Sequence, residues 1–131
     1  MMLALDTNTL IYFFKGAGRV KDRLLATPPR EVAVPSVVVY ELELGVWQST
    51  QPSRRRAQLD EFLALTTILP LDGQAAKAAA ELRAELERLG TPIGPMDTLI
   101  AGIAIAHGAT LVTHNTREFR RIRRLKLMDW Y

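Results

Sequence analysis

Short runs of apolar and β-branched residues recur along this chain, with helical patterns filling the intervals. The runs are Leu3 to Leu5, Glu31 to Val34, Thr67 to Leu69 and Ala109 to Thr113. A strand that is apolar on both faces has to be covered on both faces, which is the situation of a strand inside a parallel sheet. Parallel neighbours need crossovers long enough for a helix. The alternation therefore predicts an α/β domain with a central, mostly parallel sheet. Helices are expected over Asn8 to Lys15 and over Arg19 to Ala26, the latter ended by Pro28 and Pro29. The stretch SVVVYELELGVWQS carries strand-favouring valines. Even so, Ser36 is a good N-cap and apolar residues fall at 37, 40, 44 and 47, which predicts a buried helix. Ser53 to Leu65 forms an amphipathic helix with Ser53 as its cap, and Asp72 caps a long helix closed by Gly90. Pro95 opens MDTLIAGIAIAH, which ends at Gly108, and HNTREFRRI starts the last helix. LKLMDW is expected to close the sheet as an edge strand. No repeat, low-complexity tract or linker interrupts this order, so residues 1–131 are expected to form a single domain with one core.

Composition narrows the chemistry. Apolar residues make up 48% of the chain, too many for a disordered segment. The absence of cysteine excludes disulfides, thiolate zinc sites and cysteine nucleophiles, and it fits a reducing compartment. The start lacks a basic n-region, and no apolar run is long enough to span a bilayer. The expected setting is the cytoplasm, without a membrane. The net charge of +3 is unevenly placed, in Arg54 to Arg56 and in REFRRIRRLK from Arg117 to Lys126. Such clusters are solvated helix faces unless they flank a site, where they form a nucleic-acid footprint.

In an open parallel sheet, ligands sit beyond the carboxyl ends of the strands. Asp6 falls at one such end and His114-Asn115 at another. Glu41 lies one turn into its helix, and Asp97 lies in the first turn after Pro95. Each of these acids is embedded in apolar sequence, where an unpaired carboxylate is costly. Helix N-termini can serve Asp6 and Asp97 one at a time. That explanation is weakest for Glu41, which sits within a helix. Three converging acids would repel one another, and a divalent cation resolves the repulsion. Oxygen-only ligands point to Mg²⁺ or Mn²⁺. Thr7 and Asn8 are placed either to orient Asp6 or to cap the helix that follows. Thr113 ends its strand where a phosphate or a bound water could be contacted. Asn115 and Glu118 have capping-box spacing, so capping and catalysis both stand open for them. His114 is a candidate to face substrate, and His107 to cap a helix end. Trp47, Trp130 and Phe119 are expected in the core or at an interface.

The segments LALDTNTLIYFF, SVVVYELELGV, IGPMDTLIAGIAIAHGATLVTHNTREFRRI and LKLMDW together resemble the PIN-domain ribonucleases, most closely the VapC-type toxins of toxin–antitoxin pairs. The resemblance spans essentially the whole chain. It implies a PIN-like three-layer α/β/α sandwich with an acidic, Mg²⁺-dependent site for hydrolysing RNA, Mn²⁺ being a substitute. Asp6 and Asp97 match the metal-binding aspartates. Glu41 matches the acid of the E-L-x-x-G segment formed with Leu42 and Gly45, which leaves Glu43 as a surface residue. Many members carry a fourth acid where this chain has Asn115, with Glu118 nearby. The resemblance also implies a homodimer and a small VapB-like antitoxin. A segment of that antitoxin is expected in a groove beside the first helices, with an Arg or Lys reaching the acidic centre. Ile11, Tyr12, Phe13 and Phe14 exceed what one face of a short helix buries, so some of them are candidate groove or dimer contacts. Two rivals remain. An aspartyl phosphohydrolase would need an aspartate where Asn8 stands. A non-catalytic RNA-binding or assembly module would tolerate Asn115 in a degenerate site.

Overall fold

The computed structural model describes residues 1–131. Its strands are β1 (Leu3–Leu5), β2 (Val32–Pro35), β3 (Thr67–Leu69), β4 (Thr110–Val112) and β5 (Leu127–Met128). They lie in the order β3-β2-β1-β4-β5, and every pairing is parallel. The helices are α1 (Thr7–Lys15), α2 (Val20–Leu25), α3 (Ser36–Gln48), α4 (Pro52–Leu63), α5 (Gly73–Arg88), α6 (Pro95–Ala106) and the single turn α7 (Thr116–Phe119). Strand order runs outward from β1 to β3 and then jumps back to β4. Because crossovers are right-handed, this reversal sends helices to both faces of the sheet. The result is the expected α/β/α sandwich. Leu3, Ala4, Leu5, Ala33, Val34, Leu111 and Val112 are buried and form one continuous core with the inner faces of α3, α5 and α6. Phe119 and Trp130 are buried in that core as well.

Gly102 sets how closely α5 and α6 pack. A Cβ at this position would sit 2.6 Å from Ala79 Cβ and 2.8 Å from the Ala79 backbone. Only glycine permits this approach.

Several local expectations are corrected. Ser36 does not cap α3. It is the first helical residue, and its hydroxyl accepts the Leu71 N–H at 3.0 Å, tying the loop before α5 to α3. Ser53 does not cap α4, because Pro52 takes the first helical position. The buried side of α3 holds Val37, Val38, Leu42 and Val46, whereas Tyr40, Leu44 and Trp47 are exposed. Of the expected apolar stripe, Val37 is buried, and the other three residues face solvent. The last helix ends at Phe119, because hydrogen bonds spaced three residues apart turn the chain through Leu125. Asp72 and Gly90 close α5 as expected, with Asp72 Oδ1 accepting the Ala75 N–H at 2.9 Å.

Candidate active site

The site grows from the paired ends of β1 and β4. Leu5 lies opposite Val112, so the next residues, Asp6 and Thr113, emerge side by side. The chain is locked there by two bonds to the Val112 carbonyl, from the Asp6 N–H at 3.2 Å and from the Thr9 hydroxyl at 3.1 Å. Asp6 is the N-cap of α1, its Oδ1 accepting the Thr9 N–H at 2.9 Å. The Thr113 side chain also hydrogen-bonds Asp6. Burial raises the Asp6 carboxyl above its ordinary 3.8; the bonds from Thr113 and Thr9 oppose this, and nearby Asp129 adds to the rise. Capping and site-building thus coincide in one residue.

Asp97 differs. It lies half-buried in the first turn of α6, and no protein group donates a hydrogen bond to it. Its pKa is pushed up from 3.8 to about 6, first by burial, then by the charges of Asp6, Glu118 and Glu41. The helix-capping explanation fails here: no side chain caps α6, and the Thr98 hydroxyl donates back to the Gly94 carbonyl at 2.9 Å instead of serving the free N–H groups. Asp97 is a partnerless carboxylate among three others.

Glu41 reaches the cluster from α3, its Oε1 accepting the Thr7 hydroxyl at 2.6 Å. Thr7 therefore orients Glu41 rather than Asp6. Glu43, two residues on, pairs with Arg56 on α4, outside the cluster. Asn115 and Glu118 do not form a capping box. The Asn115 N–H donates to Thr113 Oγ1 at 3.0 Å, and the Asn115 side chain donates to Glu118 Oε2 at 3.1 Å. Asn115 thus holds Glu118, and Asp97 senses that charge. Asn8 is exposed and adds no hydrogen bond to the group.

As the side chains stand, no three acidic groups converge tightly enough to grip one ion. The donor set nevertheless suits a hard divalent cation. It is all oxygen, it contains an unpartnered carboxylate, and two of its members are pushed toward the protonated form, both by burial first and Asp97 also by the charges of Asp6, Glu118 and Glu41.

The PIN domain family model matches residues 3–125. The chain belongs to the PIN-domain family. It is 39% identical over 127 residues to the tRNA(fMet)-specific endonuclease VapC of Salmonella typhimurium, covering 96% of each chain. It is 39% identical over 132 residues to Ribonuclease VapC2 of Rickettsia felis, covering 99% of this chain and 98% of the relative. Among solved structures, it matches a chain of VapBC2 from Rickettsia felis, bound to a DNA fragment from their promoter, with a TM-score of 0.92 at 36% identity. Both chains are fully covered, 100% of each. This chain is a PIN-domain ribonuclease of the VapC type.

Sequence reasoning did not pick out Asp129 or Tyr131. Asp129 falls in the segment LKLMDW, where it looks like part of an edge strand. In the structure it follows β5, which brings it beside β4 and within electrostatic reach of Asp6. Its carboxylate accepts from His114 Nδ1–H at 3.0 Å and from the Tyr131 N–H at 2.9 Å.

A cavity of about 180 Å³ opens between α1, α3 and α4, lined by Ile11, Phe14, Glu41, Leu42, Gly45 and Arg55 among others. Ile11 and Phe14 are thus the groove residues of the aromatic-rich first helix. Phe13 packs against Phe62, and Tyr12 against Tyr131. On the opposite flank, Arg120 and Arg123 line a second cleft beside Asp129, and neither forms an ion pair.

Proposed function

We propose that the chain acts as the toxin of a toxin–antitoxin pair in the cytoplasm, folded as one PIN-like domain over 1–131, and that it hydrolyses RNA phosphodiester bonds at the Asp6–Glu41–Asp97–Glu118 cluster. The observation that carries this reading is Asp97, an unpartnered, half-buried carboxylate raised to about 6 by burial and by three other acids.

Asp6 and Asp97 would hold Mg²⁺, with Mn²⁺ as a substitute. When bound, the cation supplies positive charge to a phosphoryl oxygen and lowers the pKa of water in the site. Asp6 is presented rigidly by Thr9 and Thr113. Glu41, held in one rotamer by the Thr7 hydroxyl, accepts the proton of the attacking water. The water oxygen bonds to phosphorus as the ester P–O bond breaks, and the leaving oxygen takes a proton from solvent. Asn115 fixes Glu118 within electrostatic reach of Asp97 and adds no charge of its own. The unpaired Arg120 and Arg123 offset the repulsion that an acidic centre exerts on an RNA backbone.

The partner is a small VapB-like antitoxin, as in the VapBC complexes that the chain resembles. Its segment would occupy the groove between α1, α3 and α4, which leads directly to Glu41. A homodimer is supported by the exposed stripe of Tyr40, Leu44 and Trp47 on α3.

The test is incubation with mixed structured RNAs, with and without Mg²⁺, using Asp97→Asn as the control. Metal-dependent cleavage that the variant loses is expected. Equal cleavage by both proteins would remove Asp97 from the mechanism.

A further inference from the structure

Beside the acidic cluster stands a group of rings that the hydrolytic reading does not use. The His114 ring stacks on Tyr131 with centroids 4.2 Å apart and planes 20° apart. Tyr12 meets both edge-on, at 6.0 Å from His114 and 4.9 Å from Tyr131. Both stacked rings are surface residues, Tyr131 being 48% exposed. They are nonetheless held firmly. His114 Nδ1–H donates to Asp129, which also accepts the Tyr131 N–H at 2.9 Å. Burial pushes the Asp129 carboxyl up, but these bonds and the His114 ring outweigh it and hold it below its ordinary range. Tyr131 lies so close to Gly18 that a Cβ there would stand 2.9 Å from the phenol ring. The Arg19 N–H binds the Tyr131 carbonyl at 3.3 Å.

The position of the group is what matters. His114 follows Thr113, which hydrogen-bonds Asp6, and Asp129 is close enough for its charge to act on Asp6. The same Asp129 lines the cleft that holds the free Arg120 and Arg123. An exposed aromatic surface is therefore tied, through Asp129, to both an acidic reaction centre and a cationic cleft. Single-stranded nucleic acid carries the complementary sequence of groups: a phosphate, a flat base, and further phosphates. Stacking a base on rings that are already fixed costs little ordering entropy.

We propose that the His114–Tyr131 pair is a positioning shelf for an unpaired RNA base adjacent to the scissile phosphate, with Arg120 and Arg123 receiving the phosphates beyond it. The proposal rests on the ribonuclease reading for its substrate class. Binding and cleavage are therefore measured separately.

A short single-stranded oligoribonucleotide is scanned with one abasic nucleotide at a time. Each form is tested for binding by fluorescence polarisation and for cleavage in Mg²⁺. The wild-type chain is compared with His114→Ala, His114→Phe and Tyr131→Ala. His114→Ala should weaken binding and raise KM by roughly fivefold to a hundredfold, the range of one lost base stack, while kcat changes little. His114→Phe should recover most of the loss. At one position the abasic oligonucleotide should bind wild type and His114→Ala equally. Unchanged binding and KM in His114→Ala, or an abasic penalty identical in both proteins at every position, would overturn the shelf while leaving a cleaving enzyme intact. Base-dependent binding without cleavage by the wild type would instead overturn the ribonuclease reading and leave the shelf standing. A melting temperature of His114→Ala close to wild type excludes unfolding as the cause.

Discussion

The residue that most governs this site is Asp97, and its protonation carries a definite sign. Its carboxyl titrates at about 6 in the folded chain against 3.8 ordinarily. Between roughly pH 4 and 6 the folded state retains a proton that the unfolded chain has lost. Stability therefore falls as pH rises through that window, and the penalty is complete above it. Because Asp97 is half-exposed, solvent screening limits the penalty to about 1–2 kcal/mol. Asp97→Asn should melt higher than the parent at pH 7.5 without metal, should match it at pH 3.5, and should cleave no RNA. Thermal melts at the two pH values and a cleavage assay check this. Lower stability at pH 7.5 would mean that the carboxylate has a favourable partner. Thr7→Val removes the one donor to Glu41 and should lower kcat on the order of tenfold with KM nearly unchanged, the scale of one lost charge-assisted hydrogen bond. Steady-state kinetics decides it, and a change confined to KM would place Thr7 in binding instead. Asn115→Asp puts a carboxylate where an amide now donates to Glu118 at 3.1 Å. The variant should be less stable without metal and should reach half-maximal activity at lower Mn²⁺. An unchanged Mn²⁺ titration would confine Asn115 to orienting Glu118.

At the scale of elements, what was legible was whatever depends on pattern, and what was not depends on neighbours. The runs at Leu3 and Thr110 became parallel strands because buried strands cannot alternate in polarity, whereas the run at Thr67 became the sheet edge, with only Leu69 buried. Asp6, Glu41 and Asp97 were legible because carboxylates in apolar sequence need a reason. The face of α3 was not legible. Two stripes of nearly equal apolarity run along it, and only the positions of α1, α4, α6 and β2 around it decide that Val38, Leu42 and Val46 turn inward. Glu118 was ambiguous because its spacing from Asn115 fits a capping box; only the turn at Thr113, which takes the Asn115 N–H, rules the box out. Asp129 was hidden because β5 pairs with a strand far back in the chain, Met128 lying opposite Val112, which brings Asp129 to His114. The packing of α5 on α6 yields its own prediction. Gly102→Ala must push Ala79 away, since the new Cβ would stand 2.6 Å from it. A loss of about 1–3 kcal/mol is expected despite alanine's better helix propensity. Chemical denaturation measures it, and a stabilised variant would show that α5 moves freely over α6.

At the scale of the whole molecule, the chain presents three surfaces around one acidic centre, and they are separable by mutation. The basic cleft with Arg120 and Arg123 lies on one flank, the exposed Tyr40–Leu44–Trp47 stripe follows the outer face of α3, and the groove lies under its inner edge. Gly45 sits in that groove, where a Cβ would meet nothing within 4 Å. The helix therefore tolerates a side chain there, and Gly45→Ala should stabilise the fold by up to about 1 kcal/mol through helix propensity. A large side chain at the same place would instead fill the cavity of about 180 Å³ that the antitoxin segment is proposed to occupy. Glu41, one turn away, keeps its bond from Thr7 because that contact lies on α1. Gly45→Leu should thus retain metal-dependent cleavage of RNA in vitro while losing suppression by the co-expressed antitoxin. In cells, the wild-type pair should be harmless, and the Gly45→Leu pair should slow growth. The double variant Gly45→Leu, Asp97→Asn should be harmless again, which separates escaped nuclease activity from misfolding. Growth curves for the three pairs, with co-purification of the small partner, measure all of this. If Gly45→Leu remains fully suppressed and still co-purifies with its partner, the inhibitory segment lies elsewhere, and the stripe at Tyr40, Leu44 and Trp47 becomes the surface to mutate next.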